Sequence, residues 1–155
     1  SKRAIAFFLG EVINKAIQSE DYDTHLFEFL YNHIKLLDIK EQGLAHFHIY
    51  FLLQFSKYLG FYPQDNYSAQ HPFFDLKNGY FKASHPFHNH YLSSEESRVF
   101  HEIMQYSQNQ HEDLTLSRPL KTKLLDKILL FYQLHLPGNL HFKSYEILKE
   151  IFDVD

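Results

Sequence analysis

The run from Leu44 to Leu59 constrains this chain more than any other stretch. Phe47, Ile49, Tyr50, Phe51, Leu52, Leu53 and Phe55 cover nearly every face of the helix it would form. A helix apolar all round must be surrounded by its neighbours, so this segment is expected at the centre of a helical core. A chain of 155 residues can bury such a core in one domain without cross-links. None is available, because the sequence contains no cysteine. That also excludes thiolate zinc sites and a thiol nucleophile. The aromatic content is concentrated in 16 Phe and 11 Tyr with no Trp, and most of it falls at core spacing.

Other segments supply the surrounding layer. Ile5, Phe8, Leu9, Val12 and Ala16 recur at helical spacing and predict a first helix over about Ala4 to Gln18. Leu26, Leu30, Ile34 and Leu37, flanked by Phe27 and Tyr31, predict a second over Thr24 to Ile39. Gly60 and Pro63 end the third. Residues 61–92 lose the helical period. Within them Phe73 to Lys77, Asn78-Gly79 and Tyr80 to Lys82 read as a β-hairpin, with Asn-Gly as a two-residue type I′ turn. Ser93-Ser94-Glu95-Glu96 is a capping box that opens a fourth helix. A fifth is expected from about Ser117 to Leu136, with Pro119 tolerated in its first turn, and a sixth over about Lys143 to Phe152. The expected architecture is therefore mainly α. It is a single domain over 1–155 of about six bundled helices, with a small hairpin insert at 61–92 between the third and fourth.

Catalytic signatures are missing. There is no Gly-x-Ser-x-Gly elbow, no phosphate-cradling glycine loop and no dinucleotide fingerprint, and only 5 glycines are present. His101-Glu102 and His111-Glu112 lack the second histidine that a zinc-protease helix needs. His85-x-x-His88-x-His90 is the densest candidate metal cluster, but it matches no zinc spacing and reads first as a solvated loop. No cofactor is implied. The formal charge of −4 argues against a general affinity for nucleic acid. Arg118, Lys121, Lys123 and Lys127 are a local exception. No apolar run approaches the roughly 20 residues that span a bilayer, and no signal peptide opens the chain, so a cytoplasmic location is expected.

Four stretches resemble the RecO family of recombination mediators. Tyr50 to Pro63, ending Leu59-Gly60-Phe61-Tyr62-Pro63, resembles that family's Leu-Gly-Tyr/Phe-x-Pro junction after a helix. Tyr132-x-x-His135-Leu136, followed by Phe142-Lys143-Ser144-x-x-Ile147-Leu148, resembles its C-terminal ending. Phe7-Phe8-Leu9-x-Glu11 and Leu26-Phe27-x-Phe29-Leu30 also fit, in order. The resemblance implies a C-terminal helical domain whose N-terminal OB-fold lies outside this sequence. The opening Ser1-Lys2-Arg3 suits a segment of a longer protein.

The resemblance further implies a non-catalytic role in recombinational DNA repair. The implied partners are single-stranded DNA-binding protein, RecR and often RecF, with DNA held mainly by the N-terminal domain. Many members carry Cys-x-x-Cys pairs in the insert. This chain has none, so Phe73, Phe74, Tyr80 and Phe81 are expected to hold the insert by packing. The acidic, Phe-ended tail of the single-stranded DNA-binding protein is expected to dock between the second and third helices. Tyr31 and Phe51 would supply the apolar wall there, and Lys35 and His48 the charge. Arg118, Lys121, Lys123 and Lys143 are the expected phosphate contacts. The rival readings are a generic helical protein-interaction scaffold and a histidine-metal hydrolase.

Overall fold

The apolar run from Leu44 to Leu59 forms a helix over those same bounds, α3, and it packs against every other helix among the described residues. The computed structural model describes residues 2–16, 24–39, 44–105 and 116–136. Within them lie α1 (Lys2–Ala16), α2 (Thr24–Ile39), α3 (Leu44–Leu59), β1 (Phe73–Asp75), β2 (Tyr80–Lys82), α4 (Ser94–Gln105) and α5 (Arg118–His135). The expected sixth helix over 143–152 and the polar stretch after Gln105 lie outside the described residues.

Phe47, Ile49, Phe51, Leu52, Leu53 and Phe55 of α3 are all buried, as its all-round apolarity requires. Phe8 and Leu9 of α1 pack with them, as do Leu124, Leu125, Ile128, Leu129, Phe131 and Tyr132 of α5. On α2 the buried face differs from the expected one. Phe29 is buried and Leu26, Leu30 and His33 are partly so, whereas Ile34 is 58% exposed. Steps of four residues advance about 40° beyond a full turn. A stripe drawn through 26, 30 and 34 therefore drifts off the core, and Phe29 with His33 takes its place.

The end of α3 is a Schellman cap. Gly60 adopts φ +90°, the Gly60 amide donates to the Lys57 carbonyl at 3.3 Å, and the Phe61 amide donates to the Ser56 carbonyl at 3.0 Å. This cap aims Phe61 at α5. Its ring meets Tyr132 edge-on at 5.0 Å and stacks on His135 at 5.6 Å. Tyr132 is fully buried and its hydroxyl donates to the Leu52 carbonyl at 2.6 Å. Burial pushes its phenol well above the usual range, which keeps it a donor. At the last turn of α5, His135 Nε2 donates to the Leu76 carbonyl at 2.8 Å, so the tautomer is Nε2–H.

The insert is a hairpin, but not with the expected turn. Pairing runs Phe73 with Lys82, Phe74 with Phe81 and Asp75 with Tyr80, which leaves 76–79 as a four-residue loop. Among the described residues no side-chain-bearing residue has positive φ, so Asn78 does not take the type I′ geometry; Gly79, at φ +79°, does the reversal. The reason lies in Leu76 and Asp75. Leu76 turns inward and is fully buried, while the Asp75 carboxylate accepts the Lys77 and Asn78 amides at 2.8 and 3.0 Å. Two-stranded hairpins are marginal alone, and this one is completed on both edges. Asn66 pairs with both backbone groups of Phe81 through its side-chain amide. Residues 90–92 pair with β1 through Leu76 to His90 and Leu92 to Phe74.

Phe74 and Phe81 are buried, so packing holds the insert on one side as expected. Tyr80 is exposed and Phe73 only half-buried, so the other two aromatics do not share that role. The capping box of α4 forms as expected, with the Ser93 amide donating to the Glu96 carboxylate and the Glu96 amide to the Ser93 hydroxyl.

Tyr132→Phe removes one buried hydrogen bond without changing the packing. It is expected to lower unfolding free energy by about 1 kcal/mol, read from the midpoint of a urea titration with an unchanged slope.

Candidate functional site

Helix α2 presents an exposed aromatic ladder to solvent. Phe27, Tyr31 and Lys35 follow at four-residue spacing and so share one face. The Phe27 and Tyr31 rings stack at 6.4 Å with 10° between planes, and Lys35 Nζ sits 4.7 Å over the Tyr31 ring. Phe27 is 68% and Tyr31 51% exposed. This face brings together two of the four expected tail-docking residues.

The other two lie beneath it. Phe51 is buried, stacked on Phe29 at 5.6 Å and on Phe55 at 5.5 Å, and His48 is buried edge-on to Phe8 at 6.5 Å. They are core residues, not groove wall. Their positions on a helix surrounded on all sides decided this. Between the two layers His33 packs on Phe29 and Phe51, and its Nδ1 lies 2.9 Å from the Phe29 carbonyl, to which it donates. Burial lowers the His33 pKa, against the opposite pull of that carbonyl bond, so its ring is biased to the neutral form. Phe27 is the contributor that the sequence reading named only as a flank. Its four-residue spacing to Tyr31 was the signal.

The α5 cations do not make one face. Residues 121 and 123 are 200° apart on a helix and point in nearly opposite directions. Lys121 sits at the edge of the buried face, where burial and then the Arg118 charge lower its pKa. Lys123 and Lys127 instead line a cleft against α4 that also contains Glu95, Glu96 and Asp126. Arg118 and Lys123 are exposed. Lys143 lies outside the described residues.

The histidine loop is organised around a carboxylate that the sequence reading missed. Asp75 has no exposed surface, and its Oδ2 takes Lys82 Nζ at 2.8 Å and His88 Nε2 at 3.1 Å. His88 Nδ1 accepts the His90 amide at 3.0 Å, which fixes the proton on Nε2. Both ring nitrogens of His88 are therefore committed. His85 lies against Phe73 at 4.1 Å, and the His88 and His90 rings are 5.8 Å apart. Among the described residues no three His, Cys, Asp or Glu side chains gather as a metal ligand set. The donors present do not fit a zinc site of four ligands, because the insert lacks thiolates and its central imidazole is already used. His101, the other histidine weighed for zinc chemistry, instead pairs through Nδ1 with Asp65 at 2.7 Å and stacks on Tyr67.

Burial alone would raise the Asp75 pKa. Hydrogen bonds from Lys82, the Asn78 backbone and His88 outweigh it and hold the carboxyl below its usual range. The bond to Asp75 likewise raises the Lys82 pKa. An apolar run, Phe73-Phe74-Asp75-Leu76, with one carboxylate inside it was the available signal. A charge there must be paired.

Comparison with known proteins adds an independent line. The family model described as "Recombination protein O C terminal" matches residues 1–146. The chain is 32% identical over 152 residues to the DNA repair protein RecO of Azobacteroides pseudotrichonymphae, covering 98% of this chain and 63% of that protein. It is 33% identical over 151 residues to its namesake in Phocaeicola vulgatus, covering 97% and 63%, and 34% over 154 residues to that of Bacteroides fragilis, covering 98% and 63%. The chain thus spans less than two thirds of the length of these relatives. No solved structure matches it. Among the described residues no helix is long and apolar enough to cross a membrane.

Asp75→Asn removes the charge that pairs with Lys82 and accepts from the His88 ring. It is expected to cost about 2 kcal/mol at neutral pH. A carboxylate held low in the folded state contributes stability above the ordinary value of 3.8, and that contribution is lost as pH falls through the lower folded value. The gap between the two proteins should therefore narrow at pH 3 relative to pH 7, measured by urea titration at each. Excess chelator is expected to leave the melting temperature unchanged, since Asp75 and packing hold the insert; a chelator-induced drop would show a structural metal.

Proposed function

The chain belongs to the RecO family of DNA repair and recombination proteins as its C-terminal domain, and from that premise we propose that it is a non-catalytic docking module of a recombination mediator. The observation that carries this reading is the ladder Phe27–Tyr31–Lys35. The acidic, Phe-ended tail of single-stranded DNA-binding protein needs an apolar contact for its terminal ring and a cation for its carboxylates. Tyr31 and Lys35 offer both within 4.7 Å. Phe27 extends the apolar surface by one helical turn. Phe51 supports the ladder from the core through Phe29, and His48 fixes α3 against α1.

In this reading the domain links coated single strands to recombinase loading and strand annealing, together with RecR and, in many systems, RecF. Arg118 and Lys123, both exposed, would be the described cations to meet DNA phosphates, Lys123 against the pull of Glu95, Glu96 and Asp126 in its cleft. Each such contact adds about 0.7 to the salt slope on a single strand. Lys121 is less available because it is partly desolvated.

Titration with a labelled acidic peptide ending in Phe, followed by fluorescence anisotropy, tests the docking role. Micromolar binding is expected, lost when the terminal Phe is deleted. Lys35→Glu and Tyr31→Ala should each weaken it by about 1 kcal/mol, near five-fold. Equal affinity in both variants would remove the ladder from the site, and no binding by the unaltered chain would overturn the docking role itself.

A further inference from the structure

Phe87 exposes its whole side chain, more than any other large hydrophobic residue described. A lone exposed ring needs no explanation by itself. Three observations set this one apart.

The loop that carries it is anchored on both sides. On one side His85 packs on Phe73 at 4.1 Å and edge-on to Tyr91 at 5.2 Å. On the other, His88 is tied through Nε2 to the buried Asp75 and through Nδ1 to the His90 amide. Pro86 stiffens the apex between them. Phe87 is therefore held out by a fixed frame, and little further ordering is needed when it binds.

The local charge is opposite to that of the whole chain. The sequence has no Asp or Glu between Asp75 and Glu95, and Asp75 is itself buried against Lys82 and His88. Lys77 and Lys82 fall in that span with His85 and His90, within a protein of net charge −4; Lys82 is balanced by Asp75, which leaves Lys77 as the span's uncompensated cation. A surface kept clear of carboxylates in an acidic protein suits a polyanion.

The shape favours a flat partner. The ring protrudes and leaves both faces open, which suits stacking on an unpaired base; an apolar peptide residue would need a pocket instead. Tyr80, with Lys82 Nζ 5.5 Å from its ring, adds a second partly exposed aromatic beside a cation on the same insert.

We propose that the insert is a single-strand-binding tip, in which Phe87 stacks on one unpaired nucleobase while Lys77 supplies positive charge for a flanking phosphate. This rests on the DNA-binding arm of the proposed function. It moves the main contact from α5 to the insert.

The chain contains no Trp, so Phe87→Trp creates a sole tryptophan at the site, excited selectively at the red edge where tyrosine does not absorb, in a position whose exposure tolerates the change. The variant is titrated with a fluorescein-labelled oligothymidylate, and anisotropy and tryptophan emission are read together. Saturable quenching with the same midpoint as the anisotropy is expected. Phe87→Ala should bind at least about five-fold more weakly, and Phe87→Trp should retain the original affinity. Binding that is equal in Phe87→Ala and leaves the tryptophan unquenched would overturn the tip while leaving DNA binding elsewhere on the chain. Absence of oligonucleotide binding by the unaltered chain would overturn both. Tail-peptide affinity should be the same in Phe87→Ala as in the parent, which separates this site from the α2 ladder.

Discussion

The insert depends on one buried carboxylate. Asp75 has no solvent contact, and its two oxygens gather four donors: two loop amides, the Lys82 ammonium and the His88 ring. A charge in such a place is costly unless fully paired. The pairing dictates the geometry around it: the four-residue loop at 76–79, the inward turn of Leu76 and the anchor of the 83–91 loop. Where many members of the family carry cysteine pairs, this chain uses an ion cluster backed by Phe74 and Phe81. The two solutions differ in what disturbs them, because a chelator leaves an ion cluster intact and acid weakens it.

The helical core connects to that insert through the residues that carry the family resemblance. Gly60 is required at the end of α3 because the Schellman cap needs positive φ there. The cap delivers Phe61 between Tyr132 and His135 of α5. Tyr132 then bonds back to α3 and His135 bonds across to Leu76 in the hairpin loop. The Leu-Gly-Phe-x-Pro and Tyr-x-x-His-Leu runs begin 73 residues apart in sequence, at 59 and 132, and are in contact in space. Their chemistry is that of a joint between bundle and insert.

Helix existence and bounds were legible wherever apolar periodicity was long. Residues 24–39 and 44–59 are helical over the expected spans, and the Ser93 capping box closed as its spacing required. Orientation was less legible. A stripe through Leu26, Leu30 and Ile34 fits the sequence as well as one through Phe29 and His33, and only packing against Phe51 and Phe55 separates them. The same ambiguity placed Phe51 and His48 in a groove wall, although an all-apolar helix leaves almost no surface for one. The turn was misread because Asn-Gly is a strong hairpin signal, yet Leu76 gained more by burial and Asp75 supplied a competing cap for the loop amides. Of the expected docking residues, Tyr31 and Lys35 do share one exposed face of α2. The exposure of Phe87 had no signal in the sequence, since a loop has no period.

Net charge guided the sequence reading away from nucleic acid, and the structure gives reason to weigh local charge instead. The two candidate surfaces differ in this respect. On α2, Lys35 shares its helix with Glu28 and Asp38, both exposed. Attraction for an acidic peptide there is partly offset at distances beyond contact, so binding must draw mainly on apolar burial against Phe27 and Tyr31. Such an interaction loses little as salt rises, since screening acts on charges and leaves apolar area untouched. On the insert Lys82 is already paired with Asp75, but Lys77 is exposed with no Asp or Glu between Asp75 and Glu95 in sequence, so charge contributes more there and screening removes more of it. The two proposed contacts would therefore respond differently to salt, and rising ionic strength would release a strand before a tail.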